Sequence, residues 1–257
     1  MLKARTINWL FLLLLIALIV LDRQNDISNW CYVLLFFSYS LIQAYGVVFV
    51  SASFFVPIKC KGEGSSKSVA LTFDDGPLPE MTEKILTILN DYQVKATFFC
   101  IGHRVEKHPE ILSKVDFQGH AIGNHTFNHG KFFDLLSAKE MSAELNNTDE
   151  AIQNVINKKP RFFRPPYGVT NPNLAKAIKR GNYITMGWSV RSLDTVAKED
   201  EKLFQRVTKN LKAGDVILFH DYCEITIRIL PRVLDYIQKQ GLKVVRLDEL
   251  MGEKAYT

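Results

Sequence analysis

Cysteine is scarce. The 257 residues hold four, Cys31, Cys60, Cys100 and Cys223, far apart and without a Cys-x-x-Cys pair. Such spacing announces neither a disulfide framework nor a cysteine-based zinc site. Charge of one sign is also lacking: Lys+Arg number 32 against Asp+Glu 27, a formal net charge of +5. With no basic block in the chain, nothing argues for a nucleic-acid partner. Internal repeats and low-complexity tracts are missing too, which sets aside repeat arrays and disordered segments. What the chain does have is apolar residues, 47% of the total. That suffices for one domain with a large core and something smaller beside it.

The smaller part lies at the amino terminus. Ile7 to Leu21 is apolar apart from Asn8, but its 15 residues fall short of the ~20 that span a bilayer core. After the polar break Asp22-Arg-Gln-Asn-Asp26, Trp30 to Ile58 runs without a formal charge, with aromatic residues at both ends. The first run reads as a spanning helix, an interfacial helix or a signal-peptide core, and the second as a spanning helix or a buried core segment. A membrane hairpin of helices 7–21 and 30–57 is the expectation, making residues 1–60 an anchoring region. Lys3 and Arg5 precede the hairpin and Lys59 and Lys61 follow it, which places both ends in the cytoplasm. If the first run does not span, the rest of the chain lies outside, so the side stays open. Residues 61–67, Lys-Gly-Glu-Gly-Ser-Ser-Lys, read as a linker, and 68–257 as the main domain.

Within that domain, apolar strand patterns alternate with helical ones. Strands are expected at Val69–Phe73, Ala96–Cys100, Gly119–Gly123, Arg161–Phe163, Tyr183–Val190, Val216–Phe219 and Lys243–Leu247. Between them, Ser137 caps a long helix with Glu140 completing a capping box, and Asn171-Pro172 opens another. Seven strands alternating with helices imply an α/β fold with a parallel sheet, closed or nearly closed as a (β/α) barrel. In such a fold the carboxyl ends of the strands share one face.

The unusual residues fall on that face. Asp74 and Asp75 end the first strand before Gly76-Pro77 turns the chain. Alone they would pass equally as a turn or a helix cap; as a site, one can bind a metal while the other handles a proton. His125-Thr-Phe-Asn-His129 sets two imidazoles one helical turn apart, able to reach one ion. With a carboxylate from another strand end they form a two-His-one-carboxylate set, the pattern of a catalytic zinc, which brings the pKa of bound water towards ~7. Arg164-Pro-Pro-Tyr167 supplies a permanent cation suited to orienting a catalytic carboxylate. His220, at the end of Val-Ile-Leu-Phe-His, is placed to act as a general acid towards a leaving amine. Trp188 and Asp194 lie in a stretch able to line a sugar-sized pocket and support His220.

Together these stretches resemble the polysaccharide deacetylase family, the NodB-homology domain of carbohydrate esterase family 4. Five motifs stand in the family's order across roughly Ser68 to Leu250: Thr72-Phe-Asp-Asp75, His125-Thr-Phe-Asn-His129, Arg164-Pro-Pro-Tyr167, Trp188-Ser-Val-Arg-Ser-Leu-Asp-Thr195 and Leu218-Phe-His220. The resemblance implies a distorted (β/α) barrel of about seven strands that hydrolyses N-acetyl, occasionally O-acetyl, groups from a glycan such as chitooligosaccharide or peptidoglycan. It implies Asp74 as general base, with Asp75, His125 and His129 on a divalent metal, zinc first and cobalt second. Arg164 would orient Asp74, and the Tyr167 N–H would help hold an oxyanion. Leu218 would line the acyl pocket, and His220, partnered by Asp194, would protonate the amine. The fourth motif departs from many relatives: Arg191 stands where an aspartate is common and Thr195 replaces a tryptophan. The expected setting is a bacterial inner membrane, multi-pass, with an acylated carbohydrate as partner. Two other readings remain: deacylation of a lipid-linked sugar precursor carrying acetyl or formyl groups, and a non-catalytic carbohydrate-binding barrel.

Overall fold

The computed structural model describes residues 3–63 and 67–257. Residues 64–66 of the expected linker lie outside the described part. Two helices come first, α1 (Ala4–Asn25) and α2 (Asn29–Val48). They fold back on each other: Phe11 stacks on Tyr39 at 4.2 Å, while Asp22 near the turn accepts from the Tyr32 hydroxyl at 3.0 Å. Asn8, the polar residue inside the first apolar run, is satisfied by the Tyr39 hydroxyl and the Gln43 amide at 3.0 and 3.1 Å. The outward faces stay apolar and exposed, with Leu13 62% and Trp30 71% accessible.

The hairpin boundaries differ from those expected. The first helix is 22 residues rather than 15, because Ala4–Thr6 and Asp22–Asn25 continue the helical hydrogen bonding beyond the apolar run. The second stops at Val48 instead of residue 57. Beyond it, Phe54 and Val56 are almost fully buried: the Phe54 ring packs over Gly46 of α2, while Val56 joins the domain's core. By length and composition alone, both helices could cross a membrane.

The chain then enters the sheet directly. The elements that follow are β1 (Ile58–Lys59), β2 (Ser68–Asp74), α3 (Met81–Asp91), β3 (Thr97–Cys100), α4 (Gly102–Lys107), α5 (Pro109–Phe117) and β4 (Ala121–Asn124). After them come α6 (Ala138–Ile156), β5 (Phe162–Phe163), α7 (Pro172–Gly181), β6 (Ile184–Met186) and β7 (Val190–Arg191). The chain closes with α8 (Asp200–Thr208), β8 (Val216–His220), α9 (Glu224–Lys239), β9 (Lys243–Val245) and α10 (Leu247–Met251). Ser137 and Glu140 form the capping box of α6, and Asn171 caps α7 through the Leu174 N–H at 2.8 Å.

Nine parallel strands are paired among the described residues, in the order β1-β6-β5-β4-β3-β2-β8-β7, with β9 also on β2. Two more strands appear than the seven expected, for two reasons. Residues 58–59, assigned to the anchoring region, pair with β6, and the adjoining Lys61 and Gly62 bond across to Asp215 and Gly214. The expected strand Tyr183–Val190 is interrupted at residues 187–189, giving β6 and β7. β6 lies second from one end of the row and β7 at the other end although only three residues separate them, so the sheet must curl into a half-barrel. The bonds Gly187 N–H to Lys59 O at 2.8 Å and Ser189 N–H to Val216 O at 3.1 Å mark the crossing. Phe73 stacks between Phe98 and Phe219, at 5.1 and 5.9 Å, and this aromatic layer under the helices fixes β2 at the centre. The strand ends that matter, those of β2, β4, β5 and β8, therefore converge.

Candidate active site

Asp74 is the last residue of β2, and burial leaves it 3% exposed. Its Oδ1 accepts from Arg164 Nη1 at 2.7 Å. Arg164 has no exposed surface at all, a costly place for a cation unless every donor is engaged. Nη1 also donates to Thr72 Oγ1 and Nη2 to the Gly187 carbonyl, both at 2.8 Å, and the guanidinium lies 4.1 Å from the Phe99 ring centroid. Burial works against the charge of Arg164, while Asp74 beside it works for it. Removing either partner would strand the other.

Asp75 follows with a positive φ of 79°, which swings its carboxylate away from that of Asp74. Its Oδ1 lies 3.4 Å from Nε2 of both His125 and His129. That oxygen is buried and has no hydrogen-bond partner. Burial alone would push the Asp75 carboxyl up, but the neighbouring His125, with His129 and His220 beyond it, holds it well below the usual range. Burial, with His125 alongside, pushes His129 down to about 4. The Arg164 carbonyl accepts from His125 Nδ1 at 2.8 Å, leaving Nε2 as the nitrogen turned towards Asp75. Three potential ligand atoms thus lie within 4.8 Å of one another, with the Asp75 oxygen spaced beyond ordinary hydrogen-bond distance from both imidazole nitrogens. An orphaned buried carboxylate oxygen facing two imidazole nitrogens fits a divalent cation.

His125 and His129 are not on a helix as their spacing suggests. Residues 125–130 form a loop in which Thr126 and His129 have φ of 66° and 49°. Side chains impose that shape: Asn124 Oδ1 accepts from the Thr126 N–H at 2.9 Å, and Thr126 Oγ1 from the His129 N–H at 3.2 Å. Glu144, on α6, accepts from the Phe127 and Asn128 N–H groups at 3.1 and 2.8 Å. Glu144 and Asn124 went unnoticed in the sequence. Asn124 directly precedes His125 at a strand end, a signal available locally, whereas Glu144 lies 15 residues beyond His129 and carries none.

Opposite this cluster, His220 ends β8. Its Nδ1 lies 2.8 Å from Asp194 Oδ1, and its backbone N–H donates to Asp194 Oδ2 at 2.7 Å. Thr226 completes the shell of Asp194 at 2.7 Å. Burial lowers the His220 pKa, but Asp194, joined by the charges of Asp74 and Asp75, more than compensates and raises it above the ordinary value. The geometry makes Nδ1 the protonated nitrogen and leaves Nε2 for the pocket.

The remaining residues named from sequence line the same cavity, of about 380 Å³. Tyr167 sits in the left-handed region (φ 58°), its ring 4.9 Å from that of His129. Gly168 follows, where a Cβ would approach the Trp188 ring to 2.6 Å, so glycine lets this indole close the wall. Leu218 is buried on β8, one residue pair across from Thr72 of β2. Asp194 is the exception: it lies behind His220 rather than on the cavity wall.

The family described as polysaccharide deacetylase matches residues 61–185. A peptidoglycan-N-acetylglucosamine deacetylase of Bacillus cereus is 36% identical over 205 residues, covering 74% of this chain and 91% of its own length. A chitooligosaccharide deacetylase of Azorhizobium caulinodans is 32% identical over 62% of this chain and 76% of its own. Among solved structures, a peptidoglycan N-acetylglucosamine deacetylase in complex with 4-naphthalen-1-yl-N-oxidanyl-benzamide superposes with a TM-score of 0.74. It is 31% identical, across 77% of this chain and 94% of the other. A CE4 family pseudoenzyme from Bacillus anthracis superposes with a TM-score of 0.71 at 29% identity, over 76% of this chain and 68% of its own.

Proposed function

Because the chain belongs to the polysaccharide deacetylase family and is a hydrolase of that kind, we propose that it removes N-acetyl, and occasionally O-acetyl, groups from an N-acetylhexosamine glycan. Chitooligosaccharide and peptidoglycan are the substrates to which its relatives point. We further propose that a divalent metal, zinc or alternatively cobalt, is held by Asp75, His125 and His129, and that α1 and α2 anchor the enzyme in a membrane. One observation carries the reading: the orphaned Asp75 oxygen and two imidazoles face one cavity, between an Arg164-held carboxylate and an Asp194-held imidazole.

A cation held by Asp75, His125 and His129 would act as a Lewis acid, polarising an acyl carbonyl and acidifying water. Asp74 accepts the proton of the attacking water, its Oδ1 fixed by Arg164 and its Oδ2 left to act. The Tyr167 N–H steadies the negative charge that develops on the acyl oxygen. Leu218 and Trp188 enclose the acyl methyl group and keep bulk water out. His220 Nε2 delivers a proton to the sugar nitrogen as the C–N bond breaks, giving a free amine and acetate.

The test is acetate release from chitotetraose and peptidoglycan. A chelator is expected to abolish it, and zinc or cobalt to restore it. Asp74→Asn should lower kcat by about 10²- to 10⁴-fold while metal content by mass spectrometry stays unchanged; full turnover in that variant would overturn the base assignment.

A lipid-linked sugar precursor is a second substrate reading, favoured by where the hairpin attaches. The Thr170 N–H donates to the Val47 carbonyl at 3.2 Å and its hydroxyl to the Gly46 carbonyl at 3.4 Å. Thr170 is three residues from Tyr167, at most about 11 Å of chain. The cavity wall is therefore bonded to the end of α2, and a sugar held at a bilayer surface would be within reach.

A further inference from the structure

The lining of the catalytic cavity includes two carboxylates, Asp74 and Asp75, and both are committed at its floor. Two arginines line it as well. Arg104 is occupied, its Nη1 donating to the Asp75 carbonyl at 2.5 Å. Arg191 is not. It is exposed, and among the described residues its contact is with an aromatic face, the guanidinium carbon 5.7 Å from the Trp188 ring centroid. No carboxylate of the protein, among those described, neutralises it.

Its backbone is nonetheless fixed. Arg191 belongs to β7 and is paired in register with Leu218 of β8, so the two Cα atoms stand one rung apart, about 4.8 Å. Leu218 lines the part of the cavity assigned above to the acyl methyl group. A guanidinium rooted there reaches groups on the reacting sugar or on its immediate neighbour. Neutral hydroxyls do not require a permanent cation. A planar fork of donors, backed by an indole and lacking an internal partner, matches a carboxylate or a phosphate.

We infer that Arg191 is an anion subsite: the glycan carries a carboxylate or phosphate within about one sugar of the acyl group that is removed. This rests on the hydrolase reading given above. Two sources of the anion share that chemistry, a lactyl ether on a muramic-type sugar and the phosphate of a lipid-linked sugar.

The experiment compares four substrates: chitotetraose, a peptidoglycan tetrasaccharide with free lactyl carboxylates, its lactyl methyl ester, and N-acetylglucosaminyl pyrophosphoryl polyprenol in detergent. Wild type, Arg191→Ala, Arg191→Gln and Arg191→Lys are assayed on each, and binding to the Asp74→Asn protein with and without Arg191 is followed by calorimetry. Arg191→Ala should cut the ratio of kcat/KM for an anionic glycan to that for chitotetraose by about 10- to 100-fold. The loss should fall on KM rather than kcat, with Arg191→Lys recovering part of it. Loss confined to the free carboxylate and absent from its ester assigns the anion to lactate; loss confined to the pyrophosphoryl lipid assigns it to phosphate. A ratio that Arg191→Ala and Arg191→Gln leave unmoved for both anionic glycans overturns the inference. If no glycan releases acetate yet the Asp74→Asn protein binds anionic glycans through Arg191, the hydrolase reading falls and the subsite stands.

Discussion

At the scale of single residues, the paired acid and base are set by different neighbours. Asp194 accepts from His220 through both its oxygens and holds the imidazole pKa above its ordinary value. A raised histidine contributes stability that is complete below the unfolded value of about 6.5 and fades as pH climbs through the folded one. Asp194 itself is held low, so its share is present above its unfolded value and fades as pH drops through the folded one. The pair is thus intact between the two folded-state values. In the proposed role of general acid, His220 must be protonated, and activity should fall on the alkaline side of its pKa. Asp194→Asn removes the largest of the influences that raise it. The alkaline limb of the kcat/KM profile is therefore expected to move to lower pH, as pH-dependent acetate release would show. A merely structural role for Asp194 would lower the whole profile without shifting it.

At the scale of elements, the loop that presents His125 and His129 takes its shape from α6. Glu144 gathers the Phe127 and Asn128 N–H groups and the Asn128 amide, so its truncation leaves three donors to find new partners. Glu144→Ala is expected to weaken metal binding by about 10- to 100-fold, measured by calorimetric titration of the metal-stripped protein, while the helix itself persists. Here lies the limit of what the sequence revealed. Strand-end residues such as Asp74, His125, Arg164 and His220 were legible because an apolar run announces where each strand stops. The capping residues Ser137 and Asn171 were legible because their partners are three residues away. The loop geometry was not: Glu144 acts across a connection, and the positive φ values of Thr126 and His129 leave no mark in residue type. Short α4 and α10 were missed because one or two turns have too little periodicity to stand out.

For the whole molecule, the interesting boundary lies between hairpin and barrel. Residues that looked like the tail of a membrane helix instead bury Val56 in the domain's core and supply edge strand β1. A chain starting at residue 61 should therefore be less stable than one starting at residue 50. Losing the burial of Val56 costs roughly 1.5 to 3 kcal/mol, enough to be plain in a denaturant titration. Equal midpoints for the two chains would show that this segment is only a connector. The exposed apolar hairpin also predicts that the full chain partitions into vesicles or detergent while the chain from residue 50 stays in the aqueous phase, a difference that flotation would read directly.

The stretch from β6 to β7 ties these scales together, because it crosses from near one end of the sheet row to the other end within a few residues. Its early carbonyls, Met186 and Gly187, hold Arg164 in place; its later side chains, Trp188 and Arg191, face the incoming sugar. Under the proposed mechanism, backbone atoms thus serve the proton chemistry and side chains serve recognition. Such a division lets glycan preference drift by substitution along this ribbon while hydrolysis is preserved, so descendants could exchange one polymer for another without rebuilding the reacting centre.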